Sequence, residues 1–230
     1  MVYNLLGVPL PALSGSLPGA LEQVLLQHEG KKALPFFFPY VWPIPIVFLR
    51  KKKARWRRNM AVLEILKYPH PILKKRCREV SEIDKKVKGL IADMIETMYS
   101  AKGIGLAACQ VGVPQRVIVL DVSPMDPDKS AFALINPEIL AEEGQVDHEE
   151  GCLSVPEFTE NVKRSARVRV KGLSPDGKEM EIEADGILAI ALQHEIDHLN
   201  GILILDRISR LKRELYQKRL KKERRKEERP

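Results

Sequence analysis

Apolar residues recur at helical spacing in two stretches of the chain. Between residues 87 and 98 they fall every three or four positions, on one face of an α-helix: Val87, Leu90, Ile91, Met94, Ile95 and Met98. Gly103 is a typical stop for that helix. A second helix is predicted from Gly186 to about Leu199, with Asp185 as its cap and Asn200-Gly201 as its end.

A third helix is predicted from about Ser209 onward, in a densely charged part of the sequence. Its apolar face is thin and consists of Leu211, Leu215 and Leu220. Such a narrow stripe predicts a helix that rests on the surface of the protein and is solvated over most of its circumference.

Four runs of β-branched or alternating residues predict strands: Arg116–Val122, Phe132–Ile135, Ala166–Leu173 and Glu179–Glu183. Asn136-Pro137 is expected to end the second of them, and a turn at Ser174–Gly177 predicts that the last two form a hairpin. Together the elements predict an α+β domain, in which antiparallel or mixed strands surround a central helix and a further helix lies at the C-terminal end.

The net charge of +7 is spread unevenly over the 230 residues. Residues 1–59 carry nine Lys/Arg against two Asp/Glu, residues 60–206 carry seventeen against twenty-five, and residues 207–230 carry twelve against four. The middle region is therefore acidic between two basic ends. We expect residues 60–206 to be the folded domain and residues 207–230 to be a basic, helical tail.

Residues 1–59 show no regular pattern, because prolines and glycines interrupt most of their apolar runs. Their longest apolar stretch, Ala33–Leu49, contains four prolines, which argues against a membrane-spanning helix. The segment can be a targeting or anchoring peptide, a disordered arm, or a misassigned extension upstream of a true start at Met60. We favour the start at Met60; an intact mass from the native host that includes residues 1–59 would rule it out.

The three cysteines are Cys77, Cys109 and Cys152. They are odd in number, far apart, and form no C-x-x-C motif, so no disulfide framework is indicated. This usage favours a reducing compartment, and we expect a cytoplasmic protein. Cys77 and Cys109 are expected to be buried thiols.

The strongest chemical signal is the segment His194-Glu195-Ile196-Asp197-His198. Residues four apart share a helix face, so the two histidines can bind one metal ion. Glu195 then lies beside the metal and can take a proton from water. The alternative is a pair of surface histidines on an amphipathic helix. The apolar residues before the motif favour a buried helix, in which both imidazoles need partners.

The third metal ligand distinguishes the classes of enzyme that use this motif. A metzincin protease requires a histidine where this chain has Ile204, and no methionine follows Met180 to form a Met-turn. A thermolysin-like protease requires a downstream glutamate, for which Glu214 in the charged tail is the nearest candidate. Cys152, within Glu150–Ser154, is the better candidate, because a thiolate completes a Cys/His/His site with a fourth position open to water.

A third segment, Gly103–Gln110, offers small residues that permit close approach of another chain and a glutamine that can donate to an oxyanion. In this order, Gly103–Gln110, Glu150–Ser154 and His194–His198 resemble the three signature motifs of the peptide deformylase family. Ala61–Pro69 is also similar to the start of bacterial members. The resemblance covers about residues 60–210. It implies hydrolysis of the formyl group from the N-terminal formyl-methionine of newly synthesised proteins, with release of formate.

The resemblance also implies a set of site residues. One divalent ion, Fe²⁺ in native bacterial members and often Zn²⁺, Ni²⁺ or Co²⁺ in preparations, is expected to be held by Cys152, His194 and His198. Glu195 is expected to take a proton from water and deliver it to the leaving amine. The side-chain amide of Gln110 and the backbone N–H of Leu153 are expected to bind the oxyanion.

The substrate-binding residues follow with less detail. The backbone of Gly105 is expected to pair with the substrate peptide, and an apolar methionine pocket is expected from Ile104, Ile187, Ile190 and Ala191. Many members carry an arginine in the loop after the cysteine motif, where this chain has Glu157-Phe158-Thr159, so that contact is not carried over. Asp197 can pair with Arg164 to orient the metal helix.

Two other classes of function stay open on the sequence alone. One is a metalloprotease or another metal amidase, which would cleave unformylated peptides. The other is a ribosome- or RNA-binding protein with an inactive or structural metal site. The basic tail suits attachment to the ribosome by phosphate contacts, although a solvated helix has the same composition. No aromatic platform or base-reading motif is present, so sequence-specific nucleic-acid binding is not expected. No membrane partner is expected either, because prolines interrupt the longest apolar stretch.

Overall fold

The computed structural model of the protein describes residues 61–126 and 128–227. The expectations for residues 1–59 and for a start at Met60 lie outside the described residues. Within the described ranges, no helix combines the length and the apolar character that crossing a membrane requires.

The strands are all antiparallel in their pairing. Their bounds are β1 Gly105–Ala107, β2 Val117–Leu120, β3 Phe132–Glu143, β4 Val146–Cys152, β5 Val155–Arg164, β6 Arg167–Leu173 and β7 Glu179–Asp185. Five of them form one sheet in the order β1-β2-β3-β6-β7, and β4 and β5 form a separate hairpin. The predicted α+β class and the hairpin of β6 and β7 are confirmed.

One strand prediction is wrong, because β3 continues through Asn136-Pro137 to Glu143. A register shift between Ile135 and Glu138 accommodates the proline, which has no N–H for the ladder. Asn136 adopts a left-handed backbone with φ of 51°. Its side chain accepts from the Val80 N–H at 2.8 Å and donates to the Val80 carbonyl at 2.9 Å, which fixes the bulge.

The first helix, α1, runs from Lys85 to Ser100 and confirms the predicted apolar face. The Asp84 carboxylate caps it by accepting a hydrogen bond from the Val87 N–H at 2.9 Å. Four members of the predicted face are buried, namely Val87, Ile91, Met94 and Met98. They pack on β1 and β2, and so support the strand that carries the Gly103–Gln110 motif into the sheet.

The second helix, α2, runs from Gly186 to Leu199, as predicted, and is central to the domain. Every residue from Leu188 to Leu199 is buried, and the helix packs against β1, β2, β6 and β7. The alternative of two surface histidines is therefore wrong. Asp185 is the N-cap residue, as predicted, but its side chain makes no capping hydrogen bond within the described residues. Asp185 instead remains paired with Arg167 as the last residue of β7.

The third helix, α3, runs from Arg210 to Glu227, but the predicted apolar stripe is only partly right. Leu211 and Leu215 are 67% and 56% exposed. The helix packs instead through Tyr216, which is 4% exposed, together with the partly buried Leu220. An aromatic ring buries more apolar area than a leucine, which decides the face that turns inward. The Tyr216 ring packs against Phe158, in the segment that follows Cys152, with ring centroids 4.9 Å apart and ring planes tilted by 59°.

Candidate metal centre

Three candidate metal ligands converge on one side of α2. His194 and His198 lie one turn apart on the helix, and their rings are 5.0 Å apart, edge to face. Cys152, the last residue of β4, faces them, with its Sγ 3.2 Å from His198 Nε2. The ligand atoms of all three residues lie within 4.8 Å of one another, and all three residues are buried. One ion can therefore contact all three.

The chemistry of these groups fits a divalent metal ion. His194 Nε2 is buried and has no hydrogen-bond partner among the described residues, a costly arrangement unless the nitrogen is a ligand. Burial acts to raise the pKa of the Cys152 thiol, but His198 and His194 outweigh it and hold that pKa well below its ordinary value. The thiolate is the form that binds a metal. A Cys/His/His set leaves a position for water, as catalytic zinc and iron sites do.

A buried ion-pair network orients His194 from behind. Glu150 accepts a hydrogen bond from His194 Nδ1 at 2.7 Å, which directs Nε2 towards the candidate site. Arg164 donates to both oxygens of Glu150, at 2.7 and 3.0 Å, and to Asp197 Oδ2 at 2.5 Å. Burial alone would raise the pKa of Glu150, but His194 and Arg164 lower it to about 2. The expected contact between Asp197 and Arg164 is therefore present, and it is buried.

Glu195 is fully buried beside the two histidines. Its carboxylate packs directly on the backbone of Gly105 in β1: a Cβ at residue 105 would lie 2.5 Å from Glu195 Oε1 and 2.9 Å from its Cδ. Such contacts are too short for any side chain. The glycine in the Gly103–Gln110 segment is thus required for the position of Glu195, a role in addition to the substrate pairing expected from the sequence.

The amide of Gln110 also lies at the centre. Its Oε1 accepts a hydrogen bond from the Ala107 N–H at 2.8 Å, which fixes the orientation of the amide. Its Nε2 then points to Ser154 Oγ at 3.1 Å and to Cys152 Sγ at 4.0 Å. The amide hydrogens therefore face the candidate metal ligands.

Leu153 directly follows the cysteine ligand and is nearly buried. Its carbonyl accepts a hydrogen bond from Lys67 Nζ at 2.6 Å. The next residue, Ser154, accepts from the Tyr68 N–H at 2.8 Å through its own carbonyl. These contacts hold the turn between β4 and β5 in one conformation, and with it the backbone of Leu153.

Comparison with known proteins agrees with this geometry. A family model described as Polypeptide deformylase matches residues 62–214. The chain belongs to the polypeptide deformylase family. Members of this family are metal-dependent hydrolases that remove the N-formyl group from nascent peptides, and this is the function of the chain.

Individual relatives cover most of the described region. The peptide deformylase of Thermodesulfovibrio yellowstonii is 60% identical over 162 residues, which are 70% of this chain and 98% of the relative. That of Syntrophobacter fumaroxidans is 52% identical over 71% of this chain and 96% of its own length. A crystal structure of a peptide deformylase from Legionella pneumophila superimposes with a TM-score of 0.67 at 43% identity, covering 74% of this chain and 100% of that one. A crystal structure of the peptide deformylase from Ehrlichia chaffeensis in complex with actinonin superimposes with a TM-score of 0.68 at 39% identity, covering 71% of this chain and 98% of that one.

The residues expected to form the methionine pocket belong to one apolar cluster, and three of the four lie on α2 itself. Ile104, Ile190 and Ala191 are buried in it, and Ile187 is partly buried at its edge. Their contact with a substrate side chain stays a prediction. Cys77 and Cys109 are buried thiols, as expected, and the Cys109 Sγ donates to the His198 carbonyl at 3.3 Å.

Sequence reasoning missed three contributors to the site. Glu150 was visible only as part of a motif, Lys67 as part of the opening segment, and Arg207 as one of many tail cations. The signal for Glu150 was its place two residues before the cysteine ligand, since β-strand neighbours at that spacing face the same side. For Lys67 no local signal exists, because its partner Leu153 is distant in the sequence. For Arg207 none exists either, because its partner Asp197 is buried within α2.

Replacing Arg164 by methionine is expected to lower the free energy of unfolding by about 3–5 kcal/mol, because Glu150 and Asp197 would stay buried without their shared cation. Urea unfolding at neutral pH measures the change. The control is Arg169→Met, since Arg169 is also a strand arginine paired with a carboxylate, lies in β6, is 48% exposed and meets Glu181 at 3.5 Å. That change is expected to cost no more than about 1 kcal/mol. Similar losses in the two variants would contradict the prediction.

Proposed function

We propose that the deformylase reaction takes place at the Cys152, His194 and His198 cluster, with Glu195 as the catalytic base. The observation that carries the proposal is the convergence of these three buried side chains beside the buried carboxylate of Glu195, which lies on the same helix as the two histidines. A divalent ion bound there supplies Lewis acidity, which makes water acidic and polarises the formyl carbonyl. All other steps belong to side chains and backbone groups of the chain.

Glu195 transfers the proton. Its carboxylate takes a proton from the water that attacks the formyl carbon, and it returns that proton to the amine that leaves as the C–N bond breaks. The close packing of Glu195 on Gly105 supports this assignment, because a base must be held within hydrogen-bond reach of the reacting atoms. The products are formate and a peptide with a free N-terminus.

Gln110 and Leu153 stabilise the oxyanion of the tetrahedral intermediate. The amide of Gln110 already has its oxygen engaged by the Ala107 N–H, so its N–H groups are oriented before the substrate arrives. The Leu153 N–H belongs to a turn fixed through Lys67. Donors of this kind cost little reorganisation during the reaction, and loss of one typically lowers kcat by about 10²–10³-fold.

The substrate peptide lies along β1 in this proposal. β1 is a terminal strand of the sheet, and Gly105 within it is adjacent to Glu195. An extended peptide that pairs with a terminal strand is aligned by backbone hydrogen bonds, which do not depend on its sequence. The methionine side chain enters the apolar region formed by Ile104, Ile187, Ile190 and Ala191. General processing of new proteins requires such tolerance beyond the first residue.

The test is formate release from a formyl-Met tripeptide by the full chain, purified without oxygen and loaded with Fe²⁺. Rapid release, with no cleavage of the same peptide lacking the formyl group, is the expected result. Cleavage of the unformylated peptide bond would favour the metalloprotease or amidase alternative. A folded, metal-loaded protein that releases no formate would overturn the proposal.

The metal in the cell is proposed to be Fe²⁺. Mixed thiolate and imidazole donors suit Fe²⁺ as well as Zn²⁺, Ni²⁺ and Co²⁺, so geometry does not separate them. Element analysis of protein isolated from its native host under strict exclusion of oxygen tests the choice. About one iron per chain is expected, and one zinc per chain would contradict it.

The basic helix α3 is proposed to attach the protein to the ribosome in the cytoplasm, where formylated chains emerge. Five exposed cations lie at helical spacing on one side of α3 and are called the basic stripe: Lys218, Lys221, Lys222, Arg225 and Lys226. Cations at this density displace counterions from a phosphate backbone, which gives binding that is strong at low salt.

Changing the five residues of the basic stripe to glutamine is expected to abolish co-sedimentation with ribosomes at low salt and to leave formate release from a tripeptide unchanged. Each lost cation removes one phosphate contact and the counterion release that drives binding at low salt. The slope of the logarithm of the binding constant against the logarithm of salt concentration should fall by about one for each lost contact. A matched control removes five exposed cations elsewhere, at Lys75, Lys85, Lys86, Lys129 and Lys178. Equal loss of ribosome binding in the control would contradict a specific role for the stripe.

A further inference from the structure

A continuous chain of charged side chains connects the metal centre to the protein surface. It begins at His194 and passes through Glu150, Arg164 and Asp197 to Arg207. The three side chains between His194 and Arg207 are nearly inaccessible to solvent: the exposed fraction is 0% for Glu150, 2% for Arg164 and 9% for Asp197. The Arg207 side chain is 42% exposed, so this series of charged side chains reaches solvent at Arg207.

Arg207 donates two hydrogen bonds to the Asp197 carboxylate. Its Nε lies 2.9 Å from Asp197 Oδ2, and its Nη2 contacts Oδ1. This parallel geometry matches a guanidinium to a carboxylate and is specific to arginine. Although Arg207 belongs by sequence to the basic tail, it contacts the metal helix, since Asp197 is adjacent to the ligand His198.

The contribution of Arg207 follows from the division of Arg164 between two carboxylates. Arg164 directs Nε and Nη2 to Glu150 and Nη1 to Asp197. With Arg207 present, two cations face two anions. Without it, Arg164 alone would face both carboxylates, and an under-compensated Asp197 would attract it away from Glu150. Interactions between buried charges are strong enough to drive such a shift.

We propose that Arg207 is a positioning residue for the metal centre: by holding Asp197 it keeps Arg164 on Glu150, and Glu150 in turn fixes the imidazole of His194 as a ligand. The proposal rests on the metal centre proposed above. Groups that orient a metal-binding histidine typically change metal affinity by about 10–100-fold when removed.

The test uses the full chain loaded with Co²⁺, whose visible spectrum reports the ligand geometry. Arg207→Met is expected to release Co²⁺ to a chelator about 10-fold faster than the unmodified protein and to change the visible bands. Arg207→Lys, which keeps the charge without the fork, is expected to lie between the two. The matched control is Arg210→Met, since Arg210 is 85% exposed and pairs with Glu214 on its own helix. Its release rate and spectrum should equal those of the unmodified protein.

A double variant separates positioning from general stability. If Arg207 acts through Asp197, then Asp197→Asn with Arg207→Met should release Co²⁺ no faster than Asp197→Asn alone. Additive effects would overturn the proposal, as would an Arg207→Met protein with the release rate and spectrum of the Arg210→Met control. Uptake of one Co²⁺ per chain by the unmodified protein confirms the centre itself. Failure of that uptake would overturn the metal centre and the Arg207 proposal together, whereas normal uptake with an unaltered Arg207→Met protein overturns the Arg207 proposal alone.

Discussion

The substitution Glu195→Gln is expected to lower kcat for formate release by roughly 10²–10⁴-fold, the range that general acid–base catalysis contributes. The amide has nearly the shape of the carboxylate, so it can occupy the same buried space beside Gly105. It cannot accept the proton of the attacking water. Binding of the metal ion should survive, because Cys152, His194 and His198 are unchanged.

Formate release and Co²⁺ stoichiometry together measure this effect. Glu181→Gln is the matched control, because Glu181 is exposed, lies in β7 and meets Arg169 at 3.5 Å at the surface. It should keep full activity. A Glu195→Gln protein that binds one metal ion and retains more than about a tenth of the activity would exclude Glu195 as the base.

A single methyl group at Gly105 should be almost as damaging. The added Cβ would lie 2.5 Å from Glu195 Oε1, a distance that neither atom can tolerate, so the carboxylate must move. A misplacement of about 1 Å can cost 10²-fold in rate, and we expect a loss of about that size in kcat. The three atoms nearest to the new methyl group all belong to the Glu195 side chain, so we expect the carboxylate to shift and the fold to persist.

Gly89→Ala is the control for Gly105→Ala. Gly89 lies within α1, and a Cβ there would meet nothing within 4 Å. Because alanine is the better helix former, this change should stabilise the protein by about 0.5–1 kcal/mol in urea unfolding and leave kcat unaltered. Normal activity in Gly105→Ala would contradict the packing of Glu195 on β1.

The parts of the fold that were predictable are those set by local periodicity. The face of α1, the limits of α2 and the hairpin of β6 and β7 each follow from residues within one turn or one alternation of each other. The hairpin of β4 and β5 was not predicted, since Val146–Cys152 carries three carboxylates in its seven residues and shows no alternation of apolar and polar positions. Its stability comes from pairing with β5, which only the folded chain reveals.

The clustering of the three candidate metal ligands was predictable for a related reason. Two histidines four residues apart on one helix, and a cysteine next to a turn, are local patterns with a direct chemical meaning. What the sequence could not supply is the identity of partners brought together from distant segments. Arg164 was expected to pair with Asp197, but its second partner, Glu150, and its 2% exposure between the two carboxylates follow only from the folded structure. Whether a charge is buried depends on all its neighbours in space.

The packing of α3 bears on the order in which the site is completed during synthesis. The turn after Cys152 is held from one side by Tyr68, whose N–H reaches the Ser154 carbonyl at 2.8 Å. Two residues of α3 complete this packing. Gln217 donates a hydrogen bond to the Tyr68 hydroxyl at 2.9 Å, and Tyr216 covers Phe158. α3 follows every other described element along the chain, and synthesis proceeds from the N-terminus. The wall around Cys152 is therefore finished last, and the site is complete only after α3 has been synthesised and packed.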